Sequence, residues 1–207
     1  MDTIITIGRQ YGSGGHEIGQ NLASKLNIPY YDKELLKRAA QDSGMCHEIF
    51  EHHDEVPTSS FLYNLVMDTY SFGINTSGYV EMPISHKVFL AQFEAIKNIA
   101  SEGPCVIVGR CADYALSDFN NVLNVFIYAD MDKRISRVSR LYNLSTDDAR
   151  DSIVKKDKQR ANYYNFYSTK KWGKAETYDL CINSSLLGID GTTELIAQFV
   201  NDFENRR

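Results

Sequence analysis

The chain has 207 residues, 43% hydrophobic content and a formal net charge of −5, which suits one α/β domain with a full core and argues against a broad nucleic-acid-binding surface. No apolar stretch approaches the ~18–20 residues of a membrane helix, and no charged n-region with an apolar h-region opens the chain. The four cysteines, Cys46, Cys105, Cys111 and Cys181, form no C-x-x-C pair, so a reduced, cytoplasmic protein is expected, with no membrane or nucleic-acid polymer as partner and a homo-oligomer left open.

The first element is also the most informative. Ile4-Ile5-Thr6-Ile7-Gly8 predicts a buried strand over 4–8. Arg9-Gln10-Tyr11-Gly12-Ser13-Gly14-Gly15-His16 follows as a glycine-rich turn, and Ile18, Leu22 and Leu26 predict an amphipathic helix over 17–26. Strand, glycine turn and helix start together aim backbone N–H groups at one point, the layout of a phosphate-binding loop. The strict form, G-x-x-x-x-G-K-[ST], has a lysine where this chain has Gly15 and a hydroxyl where it has His16. Gly12, Ser13, Gly14 and Gly15 are therefore read as a phosphate nest, and Arg9 as a substitute cation or a loop salt bridge. Ser13 carries the turn's only hydroxyl besides Tyr11. His16, a poor Mg²⁺ ligand, is read as a phosphate contact or an exposed residue.

Further along, strands are predicted over 29–31, 105–109, 123–129 and 180–183, and helices over 33–40, 85–101, 132–142, 146–164 and 192–203. Asp32, at the end of the second strand, suits either an N-cap or a ligand pocket. Residues 42–84 break the alternation and read as an insertion of helices and loops; its histidines, His47, His52 and His53, match no metal-site spacing. Arg134, Arg137 and Arg140 share one helix face. Lys155, Lys156, Lys158 and Arg160 make the next helix strongly basic, and a mobile loop is expected after it. Its aromatics, Tyr163, Tyr164, Phe166, Tyr167 and Trp172, are read as loop packing in preference to base stacking. Alternating strands and helices imply βαβ units and a mainly parallel sheet. Ligands bind at the carboxyl ends of such strands, here Arg9, Asp32, Arg110 and Asp130.

Taken in order, Ile-Thr-Ile-Gly-Arg-Gln-Tyr-Gly-Ser-Gly-Gly from Ile5, Pro29-Tyr30-Tyr31-Asp32, Val106-Ile107-Val108-Gly109-Arg110, Asp157-x-x-Arg160-Ala161-x-Tyr163-Tyr164, Lys171-Trp172-Gly173 and Tyr178-Asp179-Leu180-Cys181-Ile182-Asn183 resemble the nucleoside monophosphate kinases, most closely the cytidylate kinase-like family. The resemblance spans nearly the whole chain and is weakest over 42–84. It implies a single P-loop domain over 1–207, a three-layer α/β/α fold with a five-stranded parallel sheet in the order 2-3-1-4-5, a helical acceptor-binding insertion at about 36–94 and a lid at about 151–176. It also implies ATP with Mg²⁺, and phosphoryl transfer to a nucleoside monophosphate or another anionic small-molecule acceptor. The donor would lie on Arg9 and Gly12 to His16, and the acceptor between Asp32, Arg38 and Arg110. Arg160 and Lys156, with Asp157 between them, would act from the lid, and Arg137 from the helix before it. Cytidylate kinases carry an aspartate after the strand-end arginine, where this chain has Cys111. Two alternatives stay open: a non-catalytic phosphate-binding or regulatory protein on the same fold, and a kinase for a non-nucleotide small molecule.

Overall fold

A computed structural model describes residues 1–55 and 83–206. Five strands, β1 (Ile4–Arg9), β2 (Tyr30–Tyr31), β3 (Val106–Val108), β4 (Val122–Tyr128) and β5 (Leu180–Asn183), form one sheet in the order β2-β3-β1-β4-β5. Every pairing is parallel, which is the expected architecture. The aromatics Phe61, Tyr63, Tyr70, Phe72 and Tyr79 of the expected insertion lie outside the described residues.

β-Branched and leucine side chains alternate between two buried faces, as a parallel sheet covered on both sides requires. On one face Ile5, Ile7, Val106, Val108, Leu123 and Val125 meet Ile18 and Leu22 of α1 (Gly15–Leu26) and Ile196 and Val200 of α8 (Ser184–Asn205). On the other, Ile4 and Ile107 meet Leu35, Leu36 and Ala39 of α2 (Lys33–Ser43), Phe50 of α3 (His47–His53), Ile96 and Ile99 of α4 (Ile84–Glu102) and Ala112 and Ala115 of the single turn α5 (Ala112–Ala115). Each fully buried Ile or Leu contributes ~1.5–3 kcal/mol of transfer free energy.

The last layer places the charged residues. α6 (Met131–Tyr142) and α7 (Thr146–Tyr167) pack through Ile135, Val138, Ala149 and Ile153. Ser145 caps α7, its hydroxyl accepting the Asp148 N–H at 3.1 Å, and Asp147 and Asp148 favour the positive helix end. At the far end of α7, Tyr163, Tyr164 and Tyr167 pack with Phe89 and Cys111, and the Phe89 and Tyr167 rings stack at 3.9 Å. A helix anchored apolarly at both ends can hold a charged middle over the strand ends.

The helix runs three residues beyond the expected 164. The segment after it, expected as a mobile loop, is tied down. The Trp172 N–H donates to Asn165 Oδ1 at 2.9 Å, Thr177 Oγ1 donates to the Lys171 carbonyl at 2.9 Å, and the Trp172 ring meets Phe126 edge-on. α8 starts eight residues earlier than its apolar period suggests. Asn183 caps it through the Ser185 N–H at 3.0 Å, and a non-helical Gly188 with φ 66° interrupts the pattern.

Candidate active site

β1 ends in Arg9, whose N–H-rich loop leads straight into α1. Gly12 and Gly14 take left-handed φ values of 81° and 82°, turning the chain back so that the α1 N-terminus points over the strand ends. The first-turn amides of a helix have no intrahelical acceptor, and the N-cap residue, Gly14, makes no side-chain cap. This end can therefore serve an anion. Inside the loop, the Ser13 hydroxyl donates to the Gln10 carbonyl at 2.8 Å, and the Ser13 carbonyl accepts from Ser184 Oγ at 2.7 Å.

Beside this nest lies a cleft of about 600 Å³, lined by the loop, Asp32, Arg110 and one side of α7. That volume falls within the range of small-molecule sites. Its floor is an ionic network built on Glu55. One carboxylate oxygen accepts from Arg9 Nη1 at 2.7 Å and from the Arg110 N–H at 3.3 Å; the other accepts from Arg160 Nε at 3.1 Å. Arg160 Nη1 donates to the Arg9 carbonyl at 3.2 Å. Arg110 lies under the network with its side chain 2% exposed. It grips Asp54 through Nε at 2.9 Å and Nη2 at 2.8 Å, and donates through Nη1 to Asp32 and to the Val108 carbonyl.

Burial pushes the Glu55 carboxyl up, but Arg9, Arg160 and Arg110 outweigh it and hold it far below the ordinary range. Asp32 behaves likewise, with burial overcome by Arg110 and Arg9. Arg160 is pulled down by burial and by Arg9. Gly109 lets the network form, because at φ 80° a Cβ there would stand 2.2 Å from Arg9 Nη1 and 2.5 Å from Glu55 Oε1.

Arg9, Gly12, Gly14, Gly15, His16, Asp32, Arg110, Arg137, Lys156 and Arg160 all line the one cleft. His16 turns from the loop toward the end of β2, with Nδ1 2.7 Å from Asp32 Oδ2 and 2.9 Å from the Tyr30 hydroxyl. Arg137 pairs with Glu17 at the mouth of the loop. Lys156 is exposed, lines the cleft and has no ion-pair partner among the described residues.

Three expected site residues take other places. Arg38 bonds to Asp42 one turn on and to Glu102 at the end of α4, because it sits half-exposed at the flank of the buried Leu35–Ala39 face of α2, on the side of α4; it staples two helices. Asp157 accepts the Tyr11 N–H at 2.7 Å and pairs with the buried Arg134, so it fixes the loop to α7 and does not line the cleft. Ser13 spends its hydroxyl within the loop and lines an adjoining cavity with Lys133, Arg137 and Arg140.

Asp54 and Glu55 were not singled out from the sequence. They read as the end of an exposed acidic helix, and their burial depends on partners 46 to 105 positions away. The available signal was the charge balance: two arginines at buried strand ends need nearby carboxylates.

The model of the cytidylate kinase-like family matches residues 4–186. A cytidylate kinase of Thermococcus kodakarensis is 26% identical over 195 residues, covering 93% of this chain and 85% of that protein. The crystal structure of an uncharacterized protein from Eubacterium ventriosum matches with a TM-score of 0.73 and 31% identity, over 97% of this chain and 99% of that one. A shikimate kinase from Bacteroides thetaiotaomicron shares the fold at a TM-score of 0.52 and 14% identity, over 97% of this chain and 99% of that one. Because that family model spans residues 4–186, most of the chain, the chain belongs to the cytidylate kinase-like family.

Proposed function

We propose that this protein transfers the terminal phosphoryl group of ATP to a nucleoside monophosphate. The observation that carries the reading is the Glu55 carboxylate, gripped by Arg9, Arg160 and the Arg110 amide beside an uncapped helix N-terminus. Three cationic or N–H groups converging on one carboxylate make a site for a multiply charged anion. The family membership and the 26% identical cytidylate kinase support the nucleotide as that anion.

In this reading the donor triphosphate lies along the amides of Gly12, Gly14 and Gly15 and on the α1 N-terminus. Arg9 neutralises its terminal phosphates. Arg110 and Asp32 face the acceptor side, where the acceptor phosphate takes the place of Asp54 on the guanidinium. Arg160 and Lys156 bear on the phosphoryl group in flight, with Arg137 at the donor side. Phosphoryl transfer asks little covalent chemistry of a protein; positioning and charge stabilisation supply the rate. Burial of Arg9 and Arg160 makes that stabilisation stronger than in water.

Mg²⁺ fits as a companion of the nucleotide. It prefers oxygen ligands and usually keeps waters and substrate phosphates in its shell; no group of three His, Cys, Asp or Glu side chains gathers for a metal among the described residues. Asp32 offers a carboxylate on the cleft wall. When bound, the ion would neutralise phosphate charge.

Calorimetry with ATP, followed by an ADP-release assay against CMP, dCMP, UMP, AMP and GMP, tests the reading. Micromolar ATP binding and turnover with at least one monophosphate are expected. ATP binding without turnover on any of these acceptors would remove the nucleoside monophosphate reading and leave the two alternatives, a non-catalytic phosphate-binding protein and a kinase for a non-nucleotide small molecule.

A further inference from the structure

Gly15 and Arg9 touch the same volume. A Cβ built on Gly15 would stand 2.6 Å from Arg9 Cβ, 3.1 Å from Arg9 Cγ and 3.5 Å from Ser13 Oγ. The first two atoms belong to the stem of the arginine, which has no freedom to swing aside. That stem is fixed at both ends: the Arg9 carbonyl accepts from Arg160 Nη1 at 3.2 Å, and Arg9 Nη1 donates to Glu55 at 2.7 Å. Nothing in the backbone calls for glycine here. Gly15 opens α1 without a left-handed φ, unlike Gly12 and Gly14, and glycine in a helix is inferior to alanine. The arginine stem is what excludes a side chain at position 15.

Resting on the phosphate-transfer reading above, we infer that positions 9 and 15 have exchanged roles. The loop's cation is delivered from the strand end by Arg9, and Gly15 is kept bare to admit it. In the strict phosphate-loop motif the cation instead stands at the position of Gly15. The two arrangements exclude each other, because a side chain at 15 and the Arg9 stem cannot share one space. A lysine placed at 15 alone therefore does not improve this loop; it displaces the arginine.

The test is a cycle of Arg9→Gly, Gly15→Lys and the double variant, with ATP affinity read by calorimetry. Each single variant is expected to bind ATP at least tenfold more weakly than wild type, and the double variant to recover to within about threefold. Thermal midpoints of a second cycle, Arg9→Gly with Gly15→Ala, separate sterics from charge. Gly15→Ala lowers the midpoint when Arg9 is present and leaves it unchanged or raised when position 9 is glycine. Gly15→Lys binding ATP as well as wild type, or a double variant no better than the weaker single, overturns the exchange. So does an equal effect of Gly15→Ala in both backgrounds. A wild type that binds no ATP overturns the charge-delivery half. Failure to turn over any monophosphate, with ATP binding and both cycles as expected, leaves the exchange standing and removes only the nucleotide-kinase reading.

Discussion

Arg160 and Arg110 approach the cleft from opposite sides, and their substitutions should separate kinetically. In the proposed reading Arg160 bears on the transferring group, so Arg160→Ala is expected to lower kcat, by ~10³-fold or more if it matches well-studied transition-state arginines, with little change in acceptor KM. Arg110→Ala should chiefly raise acceptor KM. Steady-state kinetics with the preferred acceptor checks both; an unchanged kcat in Arg160→Ala removes it from the chemistry. Glu55 governs stability. Removing one partner of a buried ion pair costs about 3–5 kcal/mol, and Glu55→Gln should cost about that near neutral pH. Its carboxyl is held below its unfolded value, so this contribution is complete above the ordinary glutamate pKa of about 4.3 and fades as pH falls below it. Denaturant titrations of both proteins should give a gap that is constant above about pH 5 and narrows progressively below about pH 4. A gap unchanged down to pH 3 would show that the charge on Glu55 does not matter.

At the level of elements, the β3 terminus tests the packing of the network. Gly109→Ala forces alanine to φ 80° and places its Cβ on the Arg9–Glu55 pair. Gly44 at the end of α2 has φ 68° with nothing within 4 Å of a built Cβ, so Gly44→Ala isolates the backbone cost of ~1–2 kcal/mol. Gly109→Ala should exceed that by a further kcal/mol or more, of the order of a lost buried interaction; equal losses would mean the pair adapts freely. These elements differ in how far the sequence announces them. β1, β3 and β4 are rich in Ile, Val, Leu and Phe, and the apolar period of α1 starts at Ile18, so their places follow from local pattern. The start of α8 does not, because exposed Leu186 and Leu187 and the kink at Gly188 blur the period. Arg38 shows a similar limit: its spacing after Asp32 does not reveal which face of α2 it occupies, and that face points to Glu102. For Glu55, local pattern suggests an exposed acidic helix end, while three distant arginines decide its burial.

For the molecule as a whole, the sheet order does the assembling. With β1 between β3 and β4, Arg9, Arg110 and the α1 N-terminus meet at one edge, and α7 lays Lys156 and Arg160 across them. That convergence follows from parallel topology and was foreseeable once the βα alternation was read. The identity of the counter-charges was not, since it depends on where Asp54 and Glu55 come to lie beside the distant Arg9, Arg110 and Arg160. Among the described residues no helix is long and apolar enough to cross a membrane. The most direct test is to follow the labelled γ-phosphoryl group of ATP into product with Mg²⁺ and each nucleoside monophosphate, comparing wild type with Arg160→Ala. Label should appear in a nucleoside diphosphate with wild type and be almost absent with the variant. Label released only as inorganic phosphate, or equal transfer by both proteins, would contradict the phosphoryl-transfer site described above.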